Sequence, residues 1–117
     1  MAAATATAER EPARAGDRES CCTLYHRAVE LVGKRWSGAS LLVLMDGPAR
    51  FSEVKQLVPE LSDRLLSERM KELEAEGIVV RRVIDDTPVR VEYGLTQKGR
   101  ALEPALRSLK GWARNWL

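Results

Sequence analysis

The chain has 117 residues, of which 44% are hydrophobic and 31% charged, and 19 Lys and Arg against 17 Asp and Glu leave a net charge of +2. This length predicts one small domain, and the near balance of charges excludes a strongly basic or acidic protein. No apolar run is long enough to cross a membrane and the N-terminal residues lack the apolar core of a signal peptide, so we expect a cytoplasmic protein with no membrane partner.

The N-terminal part of the chain predicts an arm followed by a pair of helices. Residues 1–19 show no sustained apolar period, which predicts a disordered arm before a single domain over residues 20–117. The segment from Arg27 to Met45 has the apolar density of one or two helices. Gly33 and Gly38 flank the segment 34–37 and predict a break there.

A third helix should precede a tight turn. Asp46-Gly-Pro48 stops the second helix, and Ser52 is the predicted N-cap of the third, with Phe51 packing at its entry. Its predicted inner face is Val54 and Leu57. Pro59 ends it, so residues 59–61 form the turn of a helix-turn-helix.

The helix after this turn is the predicted recognition helix. Ser62 and Asp63 cap a run of helix formers, 64–76, that Gly77 closes. One face is apolar and should be buried, whereas the opposite face is polar and can reach phosphates and base edges. The predicted DNA contacts of this helix are Ser62, Arg64, Ser67, Glu68 and Lys71.

Two strands follow and predict a wing. A β-branched run, 78–84, leads through turn residues 85–88 into an alternating run, 89–95, in which Val89, Val91, Tyr93 and Leu95 form a half-buried face. The wing's predicted phosphate contacts are Arg81, Arg82 and Arg90. A solvated β-ribbon without a DNA role remains the alternative.

The C-terminal segment predicts a dimerisation helix. Thr96 caps it, and Pro104 should kink or restart it. An apolar stripe that includes Ala113 is flanked by two tryptophans, and a small domain can hardly bury both of them. The predicted dimer contacts are Leu102, Leu106, Leu109, Trp112 and Trp116. A homodimer is favoured over an intrachain core.

Four runs resemble one family in register from about Cys22 to the C-terminus, the HxlR-type transcriptional regulators. They are Leu31-Val-Gly-Lys-Arg-Trp36, Leu44-Met-Asp-Gly-Pro-Ala-Arg-Phe-Ser52, Leu66-Ser-Glu-Arg-Met-Lys-Glu-Leu-Glu74 and Val91-Glu-Tyr-Gly-Leu-Thr-Gln-Lys-Gly99. The resemblance implies an α+β, mostly helical winged helix-turn-helix fold with a C-terminal dimerisation helix. It also implies a dimer that binds double-stranded DNA at an inverted-repeat operator, often as a repressor.

Several members of this family sense quinones, aldehydes or oxidants through an N-terminal cysteine. That cysteine lies fourteen positions before the tryptophan of the Gly-Lys-Arg-Trp motif, which here is Cys22. Members usually carry proline after it, whereas this chain has Thr23. The resemblance therefore implies a redox-sensing thiol at Cys22, with an electrophile or oxidant as its reaction partner.

The chemistry of the two cysteines is compatible with this role. Cys21 and Cys22 lie where the first helix should begin, and helix N–H groups, with His26 and Arg27 nearby, favour a thiolate. Some relatives pair the N-terminal cysteine with a later one, but no cysteine follows Cys22. The options left open are a Cys22 to Cys22 or Cys22 to Cys21 disulfide across the dimer, a mixed disulfide with a small thiol, and alkylation. A strained disulfide between Cys21 and Cys22 of one chain is the least favoured.

Other functional classes are weaker. A metal site from Cys21, Cys22 and His26 has too few ligands, and no orienting group or oxyanion loop supports an enzyme, so no metal or cofactor is predicted. Two alternatives remain open. One is a regulator with a non-covalent ligand in an apolar pocket near Trp36, Trp112 and the dimer seam, and the other is a protein-interaction module.

Overall fold

The fold was examined in a computed structural model, which describes residues 22–117 together with residues 11, 14 and 16. The described chain forms six helices and three strands: α1 Thr23–Gly33, α2 Ser37–Met45, β1 Ala49–Arg50, α3 Phe51–Leu57, α4 Asp63–Ala75, β2 Val79–Ile84, β3 Arg90–Leu95, α5 Gln97–Arg100 and α6 Glu103–Trp116. The predicted α+β, mostly helical winged helix-turn-helix fold is confirmed. Most of the predicted arm, 1–19, and Cys21 lie outside the described residues.

The predicted break between the first two helices is confirmed, and Trp36 is the last residue before α2 begins. This residue adopts φ 72°, an uncommon left-handed conformation for a bulky side chain. Its carbonyl accepts hydrogen bonds from the Ser40 N–H at 3.0 Å and from the Ser40 hydroxyl at 2.8 Å. The Arg35 guanidinium lies 5.2 Å from the Trp36 ring centroid. These contacts fix the turn that carries α1 into α2.

The core lies where α2, α3 and α4 meet the base of the sheet. Its members are apolar side chains with at most 9% exposure: Leu41, Leu44, Met45, Ala49, Val54, Val58, Leu61, Leu66, Met70, Leu73, Ile78, Val79, Tyr93 and Leu106. Each large side chain buried here contributes about 1.5–3 kcal/mol relative to exposure. Helix α1 contributes no buried residue.

Two predictions for α3 are wrong. The helix begins at Phe51 with Arg50 as its N-cap, because the Glu53 carboxylate accepts a hydrogen bond from the Arg50 N–H at 2.8 Å. Ser52 is therefore inside the helix. Leu57 is 67% exposed, whereas Val58 is buried just after the helix ends. At Val58, with φ −127° and ψ 72°, the chain leaves the helical conformation, and this residue, rather than Leu57, meets the core.

Helix α4 has the predicted N-cap and stop. The Ser62 hydroxyl accepts a hydrogen bond from the Leu65 N–H at 3.1 Å. At the other end Gly77 adopts φ 74°, and the Ile78 N–H donates to the Leu73 carbonyl at 2.9 Å. Glycine suits this left-handed position because it has no Cβ. Leu66, Met70 and Leu73 form the buried face, as predicted.

The wing contains a strand that the sequence analysis did not predict. The two-residue β1 pairs antiparallel with β3, which gives the strand order β1-β3-β2. The predicted hairpin of β2 and β3 is present, with Arg81 opposite Tyr93. Its predicted half-buried face is wrong at the outer end, since Val89 is 60% exposed, and Val83 on the neighbouring strand is exposed to the same extent. The hairpin extends beyond the helical core there, so no apolar surface covers these side chains.

The C-terminal segment is two helices, because Pro104 restarts it. Proline lies in the first turn of α6, where its missing N–H needs no partner. The Thr96 hydroxyl accepts a hydrogen bond from the Gly99 N–H at 3.1 Å and caps α5, as predicted. Within the described part of the chain, no helix is both long and apolar enough to cross a membrane.

Candidate nucleic-acid interface and cysteine site

The helix-turn-helix is held together by an ion pair as well as by its core. The Lys55 ammonium on α3 lies 2.7 Å from the Asp63 carboxylate in the first turn of α4. Asp63 also lies where the partial positive charge of a helix N-terminus favours a carboxylate. The pair therefore fixes the angle between α3 and the start of α4.

The predicted DNA-contacting residues of α4 share one exposed face. At 100° per residue, Arg64, Ser67, Glu68 and Lys71 fall within about one third of the helix circumference. The Arg64 side chain is 91% exposed and its Nε lies 3.4 Å from the Glu68 carboxylate, which is 51% exposed. Arginine suits guanine, and a carboxylate accepts from the cytosine amino group, so this pair has the chemistry to read a base pair in a major groove.

Arg81 and Arg82 on β2 are both exposed, but they lie on opposite faces of the wing. Arg81 is opposite Tyr93 and Arg82 is opposite Glu92 in the register of the hairpin. Successive side chains of a strand point to opposite faces. A flat DNA surface can therefore contact either Arg81 or Arg82, but not both. The three arginines predicted as phosphate contacts, Arg81, Arg82 and Arg90, do not form one patch.

Arg90 is held between two acids. Its Nε lies 3.4 Å from the Asp86 carboxylate, and one terminal nitrogen lies 3.9 Å from the Glu92 carboxylate. Its side chain is 35% exposed. These ion pairs compete with the phosphate contact that the sequence predicts for Arg90.

Two acidic residues, Glu72 on α4 and its C-cap Glu76, form ion pairs with cations of α1 and of the residue that follows it. The Glu72 carboxylate lies 2.7 Å from the Lys34 ammonium, and Glu76 lies 3.8 Å from the Arg27 guanidinium. The hydrogen bond from Lys34 is the largest influence that holds the pKa of the Glu72 carboxyl below its ordinary value. Sequence reasoning missed the Lys34 contact, since these residues are 38 positions apart and no local pattern connects them.

Cys22 is the exposed N-cap of α1, and its carbonyl accepts the hydrogen bond of the His26 N–H at 3.0 Å. The prediction that the first helix begins at this cysteine is confirmed. The nearby basic side chains have acidic partners, because the His26 ring lies 3.6 Å from Glu30 and Arg27 lies 3.8 Å from Glu76. Cys22 is accessible to solvent and lies at the N-terminal end of a helix.

An exposed apolar face runs along α1 and α6. Its members on α1 are Leu24, Tyr25 and Val29, and those on α6 are Leu109, Trp112 and Trp116. The predicted dimer stripe divides, since Leu106 is buried in the chain's own core and Leu102 packs against that core, whereas Leu109, Trp112 and Trp116 are 60%, 53% and 74% exposed.

A groove of about 570 Å³ separates α1 and α2 from α6 within this face. Its lining includes Tyr25, Val29, Leu42, Leu109 and Ala113. An apolar pocket is predicted from the sequence near Trp36 and Trp112. Neither tryptophan lines the groove that the structure contains. The left-handed turn at Trp36 and the position of Trp112 on α6 leave both outside it.

Known proteins resemble this chain in sequence and in structure. Residues 31–117 match the model of the HxlR-like helix-turn-helix family. The chain is 46% identical over 101 residues to YvaP, an HTH-type transcriptional regulator of Bacillus subtilis strain 168, across 86% of this chain and 94% of the relative. It is 47% identical over 92 residues to the HTH-type transcriptional regulator YodB of the same organism, across 79% and 82%.

The solved structures most like this one include forms of YodB and of the redox regulator HypR. Reduced YodB superposes with a TM-score of 0.74 at 44% identity, covering 83% of this chain and 95% of that chain. Oxidised HypR superposes with a TM-score of 0.75 at 36% identity, covering 79% and 95%. YodB has also been solved after diamide treatment and with quinone bound.

Proposed function

The chain belongs to the HxlR family of helix-turn-helix transcriptional regulators, and on this premise we propose that it is a dimeric repressor that releases an inverted-repeat operator when Cys22 is oxidised or alkylated. The family consists of transcriptional regulators, which are not enzymes. The observation that carries the proposal is the exposed Cys22 at the N-cap of a helix that buries none of its own residues.

The proposed chemistry begins with the Cys22 thiolate. With a quinone, the sulfur adds to a ring carbon and the ring takes up a proton to become a thioether-substituted hydroquinone. With diamide, two thiols lose two electrons and two protons, a disulfide forms, and diamide is reduced to the hydrazine. The second thiol is Cys22 or Cys21 of the other protomer, or a small thiol. The relatives YodB and HypR, with their quinone-bound, diamide-treated and oxidised forms, support this choice of reagents.

The proposed dimer uses the exposed apolar face of α1 and α6. Six exposed apolar side chains belong to these two helices, and three of them, Tyr25, Val29 and Leu109, line one groove. A contiguous apolar surface of this kind is usually covered by a partner. A second copy of the chain would place the two α1 helices beside the dimer axis, so that a change at Cys22 rotates one α4 relative to the other and disturbs the half-site spacing.

The dimer is tested by light scattering after size-exclusion chromatography. We expect Trp112→Glu to give a monomer, because it places a charge in the proposed interface. Arg114→Glu is the control, since it lies about 200° further round the same helix. A dimer that survives Trp112→Glu would contradict the proposed interface.

The switch is tested by operator binding. The purified protein is titrated onto DNA from upstream of its own and neighbouring genes, first reduced and then after diamide or benzoquinone. We expect specific binding that is lost on treatment in the wild type and in Cys21→Ser, but retained in Cys22→Ser. Release of treated Cys22→Ser from the operator would remove Cys22 from the mechanism.

The groove supports a second candidate, a regulator with a non-covalent apolar ligand. Its volume of about 570 Å³ suits a drug-sized molecule, and its lining is largely apolar. In that case oxidants leave operator binding unchanged, and Leu109→Trp, which fills the groove, removes the response to the ligand.

A further inference from the structure

Helix α1 is attached to the recognition helix α4 by a cluster of charged groups that we name the α1–α4 strap. The Glu72 carboxylate binds two cations, with one oxygen 2.7 Å from the Lys34 ammonium and the other 3.2 Å from the Arg69 guanidinium. Arg69 Nε in turn donates a hydrogen bond to the Arg35 carbonyl at 3.1 Å. The strap thus consists of Lys34 and Arg35, which follow α1, and of Arg69 and Glu72 on α4.

The strap supplements the side-chain packing between these two helices. Helix α1 buries none of its residues, and a groove of about 460 Å³ lies between it and the C-terminal half of α4. Arg27, Glu30, Lys34, Glu72 and Glu76 all line this groove. Arg69 is the most covered charged side chain of the strap, at 16% exposure. Leu31 of α1 and Ala75 of α4 line the same groove, and Leu31 packs against the core, so the ion pairs across the groove act beside this apolar contact in setting the distance from α1 to α4.

From this arrangement we infer that Glu72 is a positioning residue, which holds the recognition helix in place relative to α1 and transmits a movement of α1 to it. Glu72 lies about 40° round the helix from Glu68, just beyond the edge of the proposed base-reading face. The transmission half of this inference rests on the proposed thiol switch, whereas the positioning half does not.

A mutant cycle on the untreated protein tests the positioning half. If Glu72 acted only through its charge, Glu72→Gln would tighten operator binding, because it removes a negative charge near DNA. We expect the opposite, a loss of about threefold to tenfold, and a similar loss for Lys34→Gln. The double variant should bind no more weakly than the weaker single variant, and Lys34→Arg should retain the wild-type affinity.

Glu30→Gln is the matched control. It makes the same substitution in the same groove, but its ion pair is with His26 on its own helix. Its affinity should equal or slightly exceed that of the wild type. Binding by Glu72→Gln that is as tight as that of Glu30→Gln would overturn the inference, as would additive losses in the double variant.

Hydrogen exchange of the protein without DNA or oxidant gives an independent measurement. The amides of residues 31–34 should exchange about threefold to tenfold faster in Glu72→Gln and Lys34→Gln, but not in Glu30→Gln. Equal exchange in all three would show that the strap does not hold the end of α1, even if no operator were found.

The transmission half is tested by the change in operator affinity on diamide treatment. The ratio of the Kd after treatment to that before should fall toward one in Glu72→Gln and remain at the wild-type value in Lys34→Arg. An unreduced ratio in Glu72→Gln would refute transmission. If diamide left the operator affinity of the wild type unchanged, both the thiol switch and the transmission half would be refuted. The mutant cycle on the untreated protein would still test whether Glu72 positions the recognition helix.

Discussion

Gly99→Ala should be among the most destabilising single-methyl additions in this chain. Gly99 lies in α5, and a Cβ there would overlap the Ile78 carbonyl oxygen and lie 3.1 Å from both the Ile78 Cγ2 and a Leu95 methyl group. The Ile78 carbonyl accepts hydrogen bonds from the Thr96 N–H at 3.0 Å and from the Thr96 hydroxyl at 3.1 Å. It therefore cannot retreat without weakening the contacts that join the end of α4 to the wing and α5.

The expected cost follows from three contributions. Overpacking costs about 1–3 kcal/mol, and each weakened hydrogen bond adds about 1 kcal/mol. The higher helix propensity of alanine offsets about 1 kcal/mol of this loss in stability. A net loss of about 2–4 kcal/mol lowers the Tm by about 10–30 °C for a domain of this size.

Thermal unfolding followed by circular dichroism, at one fixed protein concentration, measures this effect. The control is Gly111→Ala, since a Cβ at this position in α6 meets nothing within 4 Å. The control should gain about 0.5–1 kcal/mol from helix propensity alone. If the two variants shifted the Tm in the same direction, the steric reasoning at Gly99 would be refuted.

Three further predictions concern the cap of α4, the wing and α6. Ser62→Ala should lower the free energy of unfolding by about 1 kcal/mol, because it removes the acceptor of the Leu65 N–H, whereas Ser62→Asn should retain most of the stability. Equal losses for the two variants in thermal unfolding would contradict the cap. Asp86→Asn should tighten operator binding by about twofold to fivefold at low salt, because it frees Arg90 from an ion pair and lets it contact a phosphate. An unchanged Kd in a salt titration would contradict a phosphate contact by Arg90. The hydrogen bond from Arg107 holds the pKa of the Glu103 carboxyl below its ordinary 4.5, so its stabilisation is present above that pH and is lost as the pH falls through the folded value. Glu103→Gln should accordingly have a lower Tm than the wild type at pH 7, and the difference should narrow as the pH falls below 4.5.

Local patterns were sufficient for most of the secondary structure. The cap at Ser62, the stop at Gly77 and the restart at Pro104 depend on short-range backbone chemistry, and all three lie where the sequence predicted them. The start of α3 was misplaced because two capping signals compete there. Ser52 is a good N-cap residue, but the carboxylate of Glu53 reaches the Arg50 N–H and starts the helix earlier.

Burial was harder to predict than secondary structure. Leu57, Val83 and Val89 are apolar and follow a regular period, yet they are exposed. Periodicity shows which residues share a face but not whether another element covers that face. The two-residue strand β1 was also missed, since so short a run has no period of its own and exists only because β3 lies beside it.

The sequence by itself determined the family, the order of the elements and the position of Cys22 at the start of the first helix, because motifs, caps and glycine stops are read within a few residues. Only the tertiary structure decided that Leu106 belongs to the core and that Glu72 is joined to Lys34 from 38 residues away. Charge pairing and burial depend on which surfaces meet in space. That is decided by how the helices and the wing pack together.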